Sequence, residues 1–315
     1  MIRLDEKLKG MKSIGISGHV RPDGDCVGST LAVYNYISTY YPEIKVEIFL
    51  ESIPDVFLFM KNADKIQHEF QEDKSFDLFI VLDCGDERRL GSFAKYYRLA
   101  KHTLCIDHHV SNQAFAEENY IIPDASSTCE LVFHTLDVDK ITKEIAECLY
   151  TGMVHDTGVF QYSCTSAQTM NNAGILMEKG IDYSKIVTDT FYLKTYDQNR
   201  ILGYALWKSK LYLDGKVVLT YLTKENLEEF HCTPKELDGI VNQLRVTKGT
   251  EVAVFLYESE DGSYKASFRV NGELNVAEIA ESFGGGGHVK AAGCNIYGEI
   301  EDVIERILVE IKKRL

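Results

Sequence analysis

The chain has no run approaching the roughly 18 consecutive apolar residues that a membrane-spanning helix needs. Its first residues, Met1-Ile2-Arg3-Leu4-Asp5-Glu6-Lys7, lack the apolar stretch of a secretory signal. Together these absences point to a cytoplasmic protein with no membrane partner. There is no Cys-x-x-Cys pair either. The eight cysteines (Cys26, Cys84, Cys105, Cys129, Cys148, Cys164, Cys232 and Cys294) stand singly, mostly inside apolar segments. That pattern suits reduced, buried thiols better than disulfides or a zinc–thiolate site. Positive charge is scarce: 34 Lys and Arg face 48 Asp and Glu, for a net charge of −14. A general basic surface for long nucleic acid is therefore not expected, because such binding rests on many Lys and Arg contacts to phosphates. A short phosphorylated ligand, held by metal ions and a few arginines, stays open. Internal repeats and low-complexity segments are also missing.

What is present suffices for two domains with their own cores: 315 residues, 45% apolar and 26% charged. Residues 13–18, 44–50, 78–82 and 103–106 are short apolar runs, and the intervals carry helical patterns, notably 26–40 and 54–62. Strand and helix alternating at this spacing predict a doubly wound, mostly parallel α/β sheet. Further helices are expected at 126–137, 142–153 and 166–179, the second ending in a break at Val154-His155-Asp156-Thr157-Gly158. From about residue 206 the rhythm changes to paired strands around Asp214-Gly215 and Asp261-Gly262, with helices at 235–244, 275–282 and 300–314. The expected organisation is an α/β domain over 1–185, a helical connector over 186–205, and a smaller α+β domain over 206–315.

Three of the four predicted strands run into clusters of acidic and histidine residues: His19 to Asp25, Asp83-Cys84-Gly85-Asp86, and Asp107-His108-His109. Ligands of open α/β sheets bind at the carboxyl ends of strands, which would set these clusters side by side. A fourth acid, Asp156, lies in the later break. Each cluster alone has a plainer reading. Asp23 and Asp86 are suitable helix caps, and a lone histidine at a strand end is more often structural. Jointly they hold five carboxylates (Asp23, Asp25, Asp83, Asp107, Asp156) and three histidines (His19, His108, His109). Such crowding calls for compensating positive charge. Two divalent cations about 3.5–4 Å apart are the usual device for hydrolysing phosphoesters, and the mixed His and carboxylate donors favour manganese, with magnesium or cobalt as alternatives.

The segments HVRPDGD, VLDCGD, DHH and HDTG, in that order, resemble the four motifs of the DHH phosphoesterase superfamily. The run Gly284-Gly285-Gly286-Gly287-His288-Val289-Lys290-Ala291-Ala292-Gly293 resembles the GGGHxxAAG signature of the DHH-associated C-terminal domain. Within the superfamily, the two-domain layout is most similar to the bacterial nano-RNase and 3′-phosphoadenosine 5′-phosphate phosphatase group. The resemblance implies one metal held by His19, Asp23 and Asp83, and a second held by Asp25, Asp83, His108 and Asp156. It implies that His109 assists at the scissile phosphate and that Asp107 orients the histidine pair. Arg269, Gly286, Gly287 and His288 would bind the far end of the substrate, and Arg21 is a further candidate for phosphate contact. Four successive glycines permit close approach of backbone N–H groups to an anion, whereas a flexible linker is their plainer reading. Arg269, likewise, has the plainer reading of a surface arginine on an edge strand, and Arg88 and Arg89 that of surface residues at a helix start. Gln161 stands where many relatives carry a basic residue. The implied activity is cleavage of oligonucleotides of about two to five residues into mononucleotides, a length that suits an acidic chain, with removal of the 3′-phosphate from phosphoadenosine phosphate. A cyclic or linear dinucleotide phosphodiesterase, a family II pyrophosphatase and a catalytically silent nucleotide-binding module are the alternatives. A homodimer is also implied.

Overall fold

The computed structural model describes residues 2–315, and the chain divides into two compact units, one ending at Leu193 and the other starting at Lys194. The first unit carries strands β1 (Ser13–Ser17), β2 (Lys45–Phe49), β3 (Ile66–Gln67), β4 (Leu78–Leu82), β5 (His102–Asp107) and β6 (Glu118–Ile121). Its helices are α1 (Leu4–Lys7), α2 (Gly24–Tyr40), α3 (Ala94–Leu99), α4 (Thr128–Thr135), α5 (Lys143–Asp156), α6 (Ala167–Glu178) and α7 (Tyr183–Val187). The strands form one parallel sheet in the order β3-β2-β1-β4-β5-β6. The order reverses between β1 and β4, which is where an open doubly wound sheet offers its binding crevice.

Burial on both faces explains why β4 is an uninterrupted apolar run: every one of Leu78 to Leu82 is buried. Ile14, Ile16, Ile80 and Leu82 meet Val27, Leu31, Leu149 and Met153 on one face. Phe79 and Val81 meet Phe93, Tyr96 and Tyr97 on the other. Close helix packing on the first face depends on two glycines. A Cβ at Gly28 would stand 2.4 Å from the Cys148 carbonyl oxygen, and one at Gly152 would stand 2.2 Å from Cys129 Sγ.

The expected parallel sheet is present, with two edge strands beyond those expected. Neither β3, two residues long, nor the half-buried and polar β6 carries a strong apolar signal. The helix expected over 54–62 is not formed. Two 3-10 turns, Asp55–Phe57 and Ala63–Lys65, replace it, with Asn62 in the left-handed region at φ 65. Of that apolar stretch only Phe57 and Met60 are buried, one turn apart, while Val56, Leu58 and Phe59 face solvent. A single buried turn gives too little packing to hold a helix. The expected break at 154–158 also shifts: α5 runs through Asp156, which is its last helical residue. All eight cysteines are free thiols, and Cys164 alone among them is exposed.

The second unit has strands β7 (Lys210–Tyr212), β8 (Val217–Leu222), β9 (Val252–Glu258), β10 (Ser263–Val270), β11 (Gly286–His288) and β12 (Ala291–Tyr297). Its helices are α8 (Tyr196–Lys208), α9 (Lys224–Glu229), α10 (Ile240–Arg245), α11 (Val276–Ser282) and α12 (Ile300–Lys312). The sheet order is β11-β12-β10-β9-β8-β7, with β8 and β9 parallel and the other pairs antiparallel. Strand alternation sorts the core by face: Val252, Val254 and Leu256 pack with Ile279, Val303 and Ile307, whereas Ala253 and Phe255 pack with Ile201 and Leu244. The segment expected to be a connector is helical, and Ile201 and Ala205 of α8 are buried in the second unit's core. The helix expected at 235–244 is split by Gly239 at φ 89 into a 3-10 turn, Pro234–Leu237, and α10. No helix among the described residues is long and apolar enough to cross a membrane.

Candidate metal centre

Each strand end delivers its cluster to one place. After β1 the chain passes through His19 to Asp23, whose Oδ1 accepts the backbone N–H groups of Asp25 and Cys26 at 3.1 Å and starts α2. The capping reading of Asp23 is thus correct, and it leaves Oδ2 3.6 Å from His19 Nε2. Asp83 follows β4 in the left-handed region at φ 54, an uncommon conformation for a side-chain-bearing residue and one that tends to mark functional loops. Asp107 ends β5, and His108 and His109 follow it.

Asp83 is the hub. Its Oδ2 lies 3.3 Å from His19 Nε2, and its Oδ1 lies 3.6 Å from both His108 Nε2 and His109 Nδ1. His108 Nε2 lies 3.0 Å from Asp156 Oδ2 and 3.9 Å from Asp25 Oδ2. Asp107 accepts from His109 Nδ1 at 2.7 Å and from Asn112 Nδ2 at 2.6 Å, so its carboxylate fixes the His109 ring. The donor atoms fall into overlapping groups within 4.8 Å of one another: His19, Cys26 and Asp83; Asp83, His108 and His109; Asp25, His108 and Asp156.

The electrostatics show what the cluster needs. Asp25 is fully buried, and burial together with the charges of Asp83 and Asp156 pushes its carboxyl well above the usual range. Burial and Asp83 push Asp156 up to about 6. Burial alone would lower the two imidazoles, yet Asp23 and Asp83 carry His19 up to about 10, and Asp156, Asp25 and Asp83 do the same for His108. Without a cation, the positive charge beside these acids comes from protons on the raised His19 and His108 imidazoles, while Asp25 is driven toward its neutral form. Divalent cations would supply that positive charge while the protons leave, so the nitrogen and oxygen donors fit such ions. Burial and the neighbouring carboxylates push the Cys26 thiol well up, which makes it a poorer donor than the acids around it.

The residues after Asp156 are locally strained. Gly158, Val159 and Phe160 all have positive φ, at 55, 57 and 62, and a β-branched residue there is a true outlier. Thr157 holds this turn, its Oγ1 accepting from Phe160 N at 2.9 Å and its carbonyl from Gln161 N and Tyr162 N. Gln161, the departure from the family pattern noted in the sequence, is exposed.

The remaining expected site residues have contacts of their own. Arg21 is exposed with φ 55, and its backbone N–H donates to Glu51 Oε2 at 2.7 Å. Arg88 pairs with Asp86, the cap of a 3-10 turn, through Nε at 2.9 Å and Nη2 at 2.6 Å. In the second unit Arg269 lies on β10, between β9 and β12, and not on an edge strand. Its Nε donates to Asn242 Oδ1 at 3.2 Å and its Nη1 to the Phe268 carbonyl at 3.0 Å. Gly286, Gly287 and His288 form an exposed edge strand paired with Gly293, Ala292 and Ala291, so the glycine-rich run is built into the sheet and is not a linker. Gly287, at φ 152, has room only for hydrogen, since a Cβ would meet Ala292 Cα at 2.5 Å.

Sequence reasoning missed Thr128. Its backbone N–H donates to Asp25 Oδ2 at 2.6 Å and its hydroxyl to Asp83 Oδ1 at 3.2 Å. The helix-start pattern Ser127-x-x-Glu130 marks the segment, but nothing local says that the helix it opens points at Asp25.

Comparison with known proteins agrees with this geometry. Residues 13–153 match the family model "DHH family, N-terminal domain", and residues 214–315 match the "DHHA1 domain" model. The bifunctional oligoribonuclease and PAP phosphatase NrnA of Thermus thermophilus is 27% identical, over 98% of this chain and 93% of its own. Its namesake in Bacillus subtilis is 28% identical, over 93% of this chain and 92% of its own. Among solved structures, an exopolyphosphatase-related protein from Bacteroides fragilis superposes with a TM-score of 0.90 at 28% identity, covering 98% of this chain and 94% of that one. With strand ends, motif order and both matched segments in agreement, the chain carries a DHH family N-terminal domain followed by a DHHA1 domain.

Proposed function

We propose that the protein is a metal-dependent hydrolase of phosphoester bonds that cleaves short oligonucleotides to mononucleotides and removes the 3′-phosphate from 3′-phosphoadenosine 5′-phosphate. The observation that carries this reading is the position of Asp83, with one oxygen beside His19 and the other beside His108 and His109. One carboxylate facing two donor groups suits a pair of cations. His19, Asp23 and Asp83 would hold the first, and Asp25, Asp83, His108 and Asp156 the second. Bound there, two divalent cations would lower the pKa of a water nucleophile and would offset charge on the phosphoryl oxygens.

The chain's own residues supply the rest. Asp107 engages Nδ1 of His109, which leaves Nε2 as the nitrogen that exchanges a proton with the departing ester oxygen. As water adds to phosphorus and the P–O ester bond breaks, that proton ends on the leaving hydroxyl. We assign Arg269, Gly286, Gly287 and His288 to recognition of the nucleotide end, and Arg21 to a phosphate. A planar arginine fork and strand N–H groups beside glycine suit an anion. Manganese is the preferred ion on donor chemistry, and a cytoplasmic enzyme that takes no long nucleic acid fits the net charge of −14. The similarity to proteins named oligoribonuclease and PAP phosphatase, along nearly the whole chain, supports this substrate choice over the dinucleotide-signal alternative.

A manganese-supplemented panel tests it: RNAs of increasing length, phosphoadenosine phosphate, cyclic and linear dinucleotides, and pyrophosphate. Mononucleotides from the shortest RNAs together with phosphate release from phosphoadenosine phosphate are expected. Turnover restricted to cyclic dinucleotides or pyrophosphate would overturn the assignment.

A further inference from the structure

We infer that Thr128 is a positioning residue that tunes the second metal site, the one built on Asp25, His108 and Asp156, and leaves the His19 and Asp23 side alone. Asp25 is seated on the N-terminus of α4: Oδ2 accepts from Thr128 N at 2.6 Å and Oδ1 from Cys129 N at 2.8 Å. Two backbone donors at a helix start fix the plane of the Asp25 carboxyl oxygens. The Thr128 hydroxyl adds a third contact, donating to Asp83 Oδ1 at 3.2 Å. That oxygen is the one turned toward His108, whereas Oδ2 faces His19. Both contacts of Thr128 therefore fall on one side of the Asp83 carboxylate.

The threonine is held firmly enough to matter. It is fully buried, so its hydroxyl has no water to turn to. Ser127 Oγ caps Glu130 N at 3.0 Å. Buried Glu130 in turn accepts from Ser126 N and Oγ, Thr169 Oγ1 and Asn172 Nδ2, at 2.6 to 3.1 Å. A carboxylate backed by such a fixed donor keeps one lone pair engaged and directs the other. Hydrogen bonds of this kind behind a metal ligand are typically worth about 10–100-fold in metal affinity.

The inference rests on the metal reading above and is tested without substrate, by titrating metal-free full-length protein with Mn²⁺ in a calorimeter and checking free Mn²⁺ by electron paramagnetic resonance. Unaltered protein should show two binding steps. Thr128→Val should weaken one of them about 10–100-fold, Thr128→Ser should restore it, and the melting temperature should stay near that of the unaltered chain. In a His19→Ala background, which removes the first site, the surviving step should still respond to Thr128→Val. Equal weakening of both steps, no weakening, or a serine variant as weak as valine would overturn the inference. Should the valine variant fail to fold, Thr128→Ala against Thr128→Ser gives the same comparison. Unaltered protein that binds no Mn²⁺ would instead overturn the metal assignment itself.

Discussion

Asp83 Oδ2 lies 3.3 Å from His19 Nε2, and the opposite oxygen of the same carboxylate faces His108. No other acid in the cluster stands between the two histidines in this way among the described residues. Asp83→Ala should therefore reduce turnover to background while leaving the melting temperature largely unchanged, since the lost contacts are offset by relief of repulsion among the crowded carboxylates. Activity close to that of the unaltered protein would contradict the shared-carboxylate geometry.

Asp107 and His109 act as a unit at 2.7 Å. Asp107→Asn keeps the shape but allows the imidazole to choose the wrong tautomer. We expect kcat to fall by about 10–100-fold with KM little changed, as measured by steady-state hydrolysis of an RNA dinucleotide.

Arg269 donates to Asn242 and to the Phe268 carbonyl, which orient its guanidinium on β10. Its planar guanidinium is the fork that suits a phosphate. Arg269→Ala and His288→Ala should raise KM for nucleotide substrates and change kcat much less. Unchanged KM in both would remove the second unit from substrate recognition.

Gly152 on α5 is a packing constraint next to the site. An added methyl would lie 2.2 Å from Cys129 Sγ and 2.7 Å from Asp25 Oδ1. Gly152→Ala should cost about 1–3 kcal/mol in overpacking, visible as a lower denaturant midpoint, and should weaken Mn²⁺ binding through Asp25. Gly174, with open space around it, is the control that should tolerate the same change.

Glu47 provides a pH test away from the metals. Burial would raise its carboxyl, but Gln67, Lys74 and Lys45 bring it down from 4.5 to about 2. A depressed folded value means that this stabilisation is fully present above about 4.5 and is lost as pH falls toward 2. The denaturant midpoint should drop across that window, and Glu47→Gln should show a smaller drop.

Much of this site is legible in the sequence because its residues sit at strand ends. A buried parallel strand such as Leu78 to Leu82 announces itself by uninterrupted apolar residues, so the acid that follows is placed at a known edge of the sheet. The order of the motifs then sets which strand ends are neighbours. What stays hidden depends on contacts distant in sequence. Thr128 reaches Asp25 and Asp83 across 103 and 45 residues respectively, and no local pattern encodes that. The stretch 54–62 has helical apolar spacing, but only Phe57 and Met60 find a core to bury against, so propensity is overruled by what the neighbours leave uncovered. The glycine run at 284–287 reads as an anion-binding loop, with a linker as its plainer reading, and only the pairing of Gly286 to His288 with β12 shows that its second half is strand.

The most direct test of the account is to titrate Mn²⁺ into metal-free protein while following hydrolysis of an RNA dinucleotide in the same sample. The account predicts two equivalents bound per chain, with mononucleotide release appearing as the second site fills and vanishing on chelation. A single equivalent, or turnover indifferent to chelation, would contradict it.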